Sequence, residues 1–150
     1  MNFWNWIFPP KPKTNNDKFY YLALLRNDNI SYGYSIHGFW PNYTDGTYPS
    51  YCRNIPFNFN KIQCLENDLL GYWELPGDSQ KLELSFWRHE WSKHGTCMFC
   101  EMDEYEYFKK AIDLYEYLMN EEGIDIEKFK KGKNYLIPFD LNFKLISNKD

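Results

Sequence analysis

The residues best suited to chemistry lie in segment 86–97, FWRHEWSKHGTC. If this segment is a helix with about 100° per residue, four ionisable residues and one phenylalanine fall within an arc of roughly 140°. The residues on this arc are Phe86, His89, Glu90, Lys93 and His94. One face of the helix would therefore carry two imidazoles, a carboxylate and an ammonium group.

The histidine spacing on this helix favours proton transfer over metal binding. Two zinc-binding histidines on one helix face stand four residues apart, whereas His89 and His94 are five apart and diverge by about 140°. A histidine exchanges protons near neutral pH, and a nearby carboxylate and ammonium can stabilise charge on a phosphoryl group in transfer. We therefore expect acid–base chemistry without a metal or other cofactor.

A second candidate segment, 35–52, contains the only histidine outside the helix, His37. Such chemistry needs a second acid or base, and all three histidines of the chain lie in aromatic-rich segments, which favours function over scattered surface positions. The same segment carries Trp40, Asn42 and Tyr48. The alternative for its aromatic residues is packing in the core.

The hydrophobic pattern predicts the elements that hold these two segments. Residues 19–25 form a strand candidate, a turn signal follows at 27–29, and a second strand at about 31–38 delivers His37, so the two strands read as an antiparallel hairpin. Segment 41–50 is a predicted loop.

Helices are predicted at 58–71, at the active-site segment and at 102–120, with a short helical turn at 126–131. Residues 135–146 alternate well enough for one or two strands, with Pro138 at an edge or a break. The sequence therefore predicts an α+β fold with an antiparallel sheet core and flanking helices.

The chain organisation predicted from composition is a tail at 1–18 followed by one domain at 19–150. The tail has a short apolar part without the basic start or cleavage pattern of a signal peptide, then a proline-rich stretch. No apolar run is long enough to cross a membrane, so we expect no membrane association.

The charge balance limits the kind of polyanion that the protein could bind. The formal net charge is −4, which argues against a broad basic surface and against a DNA-binding protein. An enzyme that holds one or two phosphates locally fits better. An aromatic content of 21% could supply base stacking, although a compositional bias of the gene would explain it equally.

Two segments resemble the active-site segments of the T2-type ribonucleases: IHGFWP at 36–41 and HEWSKHGTC at 89–97. Four further stretches are similar to family segments and extend the resemblance to roughly residues 19–125: FYYLAL at 19–24, YPSYC at 48–52, LGYW at 70–73 and EYFKKAIDLYEYL at 106–118. Family members usually continue further and have another cysteine pair, so the resemblance implies a T2-like fold that is shortened at the C-terminus.

The resemblance implies an endoribonuclease that cleaves single-stranded RNA through a 2′,3′-cyclic phosphate. We assign His94 as the base and His37 as the acid, with Lys93 and Glu90 stabilising the phosphorane and His89 holding the phosphate. DNA lacks the reacting 2′-hydroxyl and is not a substrate. We expect the protein to act as a monomer.

The resemblance also places a base-binding site in the second segment. Trp40 and Tyr48 correspond to the aromatic pair that sandwiches the first base, and Asn42 corresponds to the polar residue that reads its edge. With Phe86 and His89 they complete the expected substrate-binding set. Because an amide can both donate and accept, we expect broad base preference. The alternative function is an RNA-binding or protein-interaction module of the same family with weak catalysis.

Four cysteines allow three pairings: Cys52, Cys64, Cys97 and Cys100. The resemblance implies a Cys52–Cys97 disulfide, which leaves Cys64 with Cys100. A structural zinc site is the alternative, because Cys97 and Cys100 have CxxC spacing, although the other two cysteines form no second such pair. Disulfides favour a secreted or lumenal protein, in conflict with the missing signal-peptide pattern.

Overall fold

A three-stranded antiparallel sheet organises the fold in the computed structural model, which describes residues 17–74, 80–122, 124 and 126–146. The strands are β1 (Lys18–Arg26), β2 (Tyr34–Tyr43) and β3 (Asn134–Phe139), and their order in the sheet is β2-β1-β3. The predicted α+β class and antiparallel hairpin are confirmed. Strand β2 starts later than expected and continues to Tyr43, where the sequence had predicted a loop from Pro41.

The two faces of the sheet have different surroundings. Large apolar side chains of all three strands are fully or almost fully buried on one face; they are Tyr20, Leu22, Leu24, Ile36, Phe39, Ile137 and Phe139. The alternate residues lie on the other face, where Tyr21 pairs with Trp40 in the β1–β2 register. One face therefore builds the core and leaves the other available for a site.

A β-bulge at His37 interrupts the regular alternation of β2. Ala23 pairs with Gly38 and Leu24 with Ile36, so His37 has no opposite residue on β1. In a regular strand His37 and Gly38 would lie on opposite faces. The extra residue turns the imidazole out of the core, which is the use of bulges next to active sites.

Helices α1 (Glu66–Tyr72), α2 (Gln80–Lys93) and α3 (Glu104–Tyr117) flank the sheet. The expected continuous helix at 58–71 is wrong in its first half, which consists of two 3₁₀ turns, Phe59–Lys61 and Gln63–Leu65. The backbone of Ile62, with φ −113° and ψ 5°, leaves helical geometry between the two turns.

The remaining helical segments agree better with expectation. Helix α3 is continued by a π-helical segment, Leu118–Glu122, and short 3₁₀ turns lie at Gly95–Cys97 and Ile126–Lys128. A capping box at Asp103 starts α3, because its side chain accepts from Glu106 N while Glu106 reaches back to the cap.

Aromatic packing fixes α2 against α3 and the sheet. Trp87 and Trp91 of α2 are buried, and the ring centre of Trp91 lies 5.7 Å from that of Tyr107 on α3. Tyr107 in turn donates its hydroxyl hydrogen to Phe39 O of β2 at 2.7 Å. The helix that carries the candidate chemistry is therefore held rigidly relative to β2.

The cysteine pairing agrees with only half of the expectation. Cys52 and Cys97 form a disulfide that spans 45 residues, whereas Cys64 and Cys100 are unpaired and exposed. The predicted Cys64–Cys100 bridge is wrong because Cys64 lies on the turn before α1, while the Cys100 sulfur accepts a hydrogen bond from Tyr20 of β1 at 3.9 Å. Cys97 and Cys100 therefore do not offer two free thiols to a zinc ion, because Cys97 is bonded to Cys52.

The predicted boundary between the tail and the domain, after residue 18, lies inside a strand. Residues 1–16 of the expected tail lie outside the described residues, and Lys18 already belongs to β1. Pro138 lies on the edge strand β3, as expected. None of the helices within the described ranges is long and apolar enough to span a membrane.

Candidate active site

Strand β2 and helix α2 bring their polar side chains to one cavity of about 480 Å³. It is lined by every residue that the sequence predicted for catalysis or substrate binding except Phe86: His37, Trp40, Asn42, Tyr48, His89, Glu90, Lys93 and His94. Phe86 instead packs beside the cavity, with its ring centre 5.7 Å from that of His37. Two segments far apart in sequence therefore form one site.

The Glu90 carboxylate is the most buried charged group of the cavity, with an exposed fraction of 2%. The indole Nε1 of Trp40 donates a hydrogen bond to Glu90 Oε1 at 2.9 Å. Burial raises the pKa of Glu90 to about 7, although the Trp40 hydrogen bond and the Lys93 charge oppose the increase. Glu90 is therefore able to be protonated, and to donate, at mildly acidic pH.

Gly38 makes this contact possible. A Cβ atom at residue 38 would lie 1.9 Å from Trp40 Nε1 and 2.0 Å from Glu90 Oε1, so any other residue would displace the pair. Glycine within a strand signals a close approach of this kind, and the sequence signal was available but unused.

His94 lies between aromatic rings at the end of α2. Its imidazole stacks on Trp40, with 5.1 Å between ring centres, and its ring centre lies 6.1 Å from that of Tyr48. The Nε2 atom is 4.0 Å from Glu90 Oε2, and the buried Nδ1 atom has no hydrogen-bond partner among the described residues.

The environment of His94 keeps its imidazole neutral. Burial lowers its pKa to about 3, and the nearby Lys93, His89 and His37 contribute in the same direction. A neutral imidazole can act as a general base, and the low pKa makes it a weak one.

His37 is held by a residue that the sequence did not predict, Asn134 of β3. The distance between His37 Nδ1 and Asn134 Oδ1 is 2.6 Å, so the amide oxygen accepts when Nδ1 carries the proton. Burial lowers the pKa of His37, the Asn134 hydrogen bond opposes this, and His89 and Lys93 lower the pKa further. Nε2 remains as the nitrogen that can transfer a proton.

Two further groups that can carry positive charge line the same cavity. The His89 side chain is 52% exposed, and its Nε2 lies 3.9 Å from Glu90 Oε2. Lys93 Nζ lies 5.7 Å from the centre of the Tyr48 ring. His89 and Lys93 are groups of the kind that can bind one phosphate at this cavity.

The side chains expected to bind a base lie at the same cavity. Tyr48 is 51% exposed, and Asn42 Nδ2 donates to Tyr43 O at 3.3 Å. Trp40 already packs one face against His94, so a base between Trp40 and Tyr48 would share that space with the imidazole. Tyr43 is not part of the cavity lining and packs against Phe99.

Three other lining residues were not predicted: Tyr21, Gly46 and Leu136. Tyr21 reaches the cavity because it pairs with Trp40, and Leu136 because β3 pairs with β1. Neither Tyr21 nor Leu136 can be assigned to the site from the sequence without knowing how the strands pair. Two imidazoles, a protonatable carboxylate and an ammonium around one cavity can perform acid–base transfer at a phosphodiester.

The chain is similar in sequence to curated ribonucleases. Ribonuclease 1 of Arabidopsis thaliana is 43% identical over 82 residues, 54% of this chain but 36% of that protein. Ribonuclease T2 of Sus scrofa is 32% identical over 118 residues, 75% of this chain and 56% of that protein. This chain thus spans between about a third and somewhat over half of these curated relatives.

Solved structures show the same fold. An RNase-related protein from Calystegia sepium superposes with a TM-score of 0.63 at 26% identity, covering 88% of this chain and 90% of that one. Human RNase T2 superposes with a TM-score of 0.56 at 26% identity, covering 70% of this chain and 59% of that one. The sequence model of the Ribonuclease T2 family matches residues 10–130. The chain therefore belongs to the Ribonuclease T2 family.

Proposed function

We propose that this protein is an endoribonuclease that cleaves single-stranded RNA by metal-independent transphosphorylation. The observation that carries the proposal is the meeting of His37 and His94 at one cavity with Glu90 and Lys93. Family membership supports an RNA substrate, and the polar groups supply both a proton acceptor and a proton donor.

In the proposed first step, His94 takes the proton from the ribose 2′-hydroxyl, whose oxygen attacks the adjacent phosphorus. The lowered pKa of His94 supports this role, because a base must be unprotonated before it reacts. His37 then donates a proton to the departing 5′-oxygen. The products are a 2′,3′-cyclic phosphate and a free 5′-hydroxyl. DNA cannot react because it lacks the 2′-hydroxyl.

The remaining polar groups stabilise the pentacoordinate phosphorane. Lys93 supplies positive charge, and Glu90 with its raised pKa donates a hydrogen bond to a phosphoryl oxygen when it is protonated. His89, the more exposed imidazole, holds the phosphate at the cavity mouth.

We place the base on the 5′ side of the cleaved bond on the exposed ring of Tyr48, with Asn42 at its edge. One face of Trp40 is covered by His94, so Trp40 contacts the base only with the part of its ring that His94 leaves free. The Asn42 amide makes a long hydrogen bond of 3.3 Å to Tyr43 O, which a base could replace in either amide orientation. The base preference is therefore broad. The Cys52–Cys97 disulfide suits an oxidising, secreted or lumenal setting, and the enzyme works as a monomer.

The test is incubation of an RNA oligonucleotide with the protein in excess EDTA, followed by analysis of the new ends. We expect 2′,3′-cyclic phosphate ends, loss of cleavage in His94→Ala and in His37→Ala, and full activity in the control Asn142→Ala, whose residue is exposed and outside the cavity. Tight RNA binding without cleavage would instead favour the binding module. Cleavage abolished by EDTA would contradict the mechanism.

A further inference from the structure

Tyr51 presents an aromatic ring to solvent just outside the cavity. It is 61% exposed, the highest value among the exposed large hydrophobic side chains of the described residues. It does not line the cavity, but its ring stands edge-on to that of His89, with 6.5 Å between ring centres and 70° between planes. The exposed ring therefore continues the site beyond the proposed phosphate position.

The backbone of Tyr51 is held in an unfavourable conformation. Its φ of +52° lies in the left-handed region, which is uncommon for a residue with a side chain. Such conformations persist only where neighbouring structure enforces them, and they concentrate at functional sites.

Three contacts enforce this conformation. Tyr51 N donates to Lys93 O at 2.9 Å, and the next residue, Cys52, is bonded to Cys97 and donates from its backbone N to Thr96 Oγ1 at 3.2 Å. All three anchor points lie at the end of the helix that carries the candidate catalytic groups. The backbone of Tyr51 is therefore fixed relative to Lys93, and its ring contacts His89.

We infer that Tyr51 is a stacking platform for a nucleobase of the RNA that flanks the dinucleotide undergoing cleavage. This inference rests on the proposed function, since it extends the same substrate past His89. A single exposed tyrosine is ordinary on a protein surface, but an exposed ring on an anchored backbone beside a phosphate site is suited to stacking, which accepts any base. Because the backbone is already fixed, binding of a base orders only the side chain.

The test measures binding of a hexanucleotide in which fluorine replaces every 2′-hydroxyl, so that none of its linkages can react. Each base outside the central dinucleotide is replaced in turn by an abasic residue. We expect one such replacement to weaken binding by about fivefold to 150-fold in the wild type, the range for loss of one base–aromatic stack.

The same replacement should have no further effect in Tyr51→Gly. Glycine suits the positive φ, so this variant removes the ring without straining the backbone, and its melting temperature should not fall. Tyr51→Asn, which also tolerates this conformation, should behave alike, whereas Tyr51→Phe should bind within about twofold of the wild type. Tyr105→Ala, an exposed tyrosine on α3, is the matched control and should change nothing.

The outcomes separate this inference from the proposed function. If Tyr51→Gly binds every hexanucleotide as the wild type does, or if the abasic replacement weakens its binding as much as it weakens that of the wild type, the stacking platform is overturned while cleavage stands. If the coupling between Tyr51 and one base is found but the all-ribose RNA is not cleaved, the platform stands and the proposed enzyme fails. Absence of any RNA binding overturns both.

Discussion

Replacing Asn134 should move the pH dependence of cleavage, because Asn134 is the hydrogen-bond partner of His37. The hydrogen bond between His37 Nδ1 and Asn134 Oδ1, 2.6 Å long, stabilises the protonated imidazole and opposes the lowering of the His37 pKa by burial. In Asn134→Ala that stabilisation is lost, so the pKa of His37 falls. At a pH where cleavage slows because His37 loses its proton, a smaller fraction of the variant than of the wild type then carries that proton.

The size of the effect follows from the strength of one hydrogen bond. A bond to a charged group contributes about 1.5–3 kcal/mol, and solvent at the half-buried His37 reduces this to about 1 kcal/mol. At 1.36 kcal/mol per tenfold, kcat/KM should fall about fivefold on the descending limb and much less at lower pH. Asn134→Asp should shift the limb the opposite way, because a carboxylate stabilises the imidazolium.

The assay is kcat/KM for one dinucleoside phosphate measured across the pH range in the three proteins. Asn142→Ala, which removes an exposed amide beyond β3, is the control and should keep the wild-type profile. Shifts of the same sign in Asn134→Ala and Asn134→Asp would refute the reasoning. A uniform loss at every pH would also refute it, because it would show that Asn134 only positions the ring.

Three further outcomes are expected. The pH profile of kcat/KM should be bell-shaped with its maximum at acidic pH. The rate rises as His94 loses its proton near pH 3, and it falls as His37 loses its proton below its ordinary pKa of 6.5. A rate that climbs steadily to pH 9 would exclude this mechanism. The double variant Cys52→Ser/Cys97→Ser should lower the free energy of unfolding by about 4 kcal/mol in denaturant titration, since the bridge spans 45 residues. It should also lower activity, whereas the control Cys64→Ser should change neither quantity. Four free thiols in the native protein would overturn the pairing. Asn42→Asp should shift preference toward adenine by about 1 kcal/mol in kcat/KM over a set of dinucleoside phosphates, because a carboxylate only accepts; a profile identical to the parent would show that Asn42 does not read the base.

Much of the site could be predicted because helix geometry is local. The order of polar residues in 86–97 fixes which of them share a face, and α2 places His89, Glu90, Lys93 and His94 at the cavity accordingly. The β1–β2 hairpin could also be predicted from the sequence, since a turn signal separates two runs of aromatic and branched residues.

The unpredicted features depend on contacts between distant parts of the chain. Asn134 meets His37 across 97 residues, and only the pairing of β3 with β1 brings it there. The bulge that turns His37 out of the core is marked in the sequence only by Gly38, and a glycine within a strand does not show which residue is the extra one. The Cys64–Cys100 pairing failed because it was assigned only to the cysteines left over, with no information on their separation.

The helix expected at 58–71 shows a different limit. Its apolar spacing does place Ile62, Leu65 and Leu69 in the core, but spacing does not distinguish a continuous α-helix from successive 3₁₀ turns followed by a short helix. The apolar pattern therefore predicts the buried residues correctly but the backbone conformation incorrectly.

Attack by the 2′-hydroxyl is the central claim, and a substrate with a single missing hydroxyl tests it most directly. The protein is incubated in EDTA with an oligoribonucleotide that has 2′-deoxyribose at one position, and the cleavage products are mapped to single linkages. The mechanism predicts cleavage at ribose linkages, each leaving a 2′,3′-cyclic phosphate, and an intact linkage on the 3′ side of the deoxyribose. Cleavage at that linkage would contradict the mechanism.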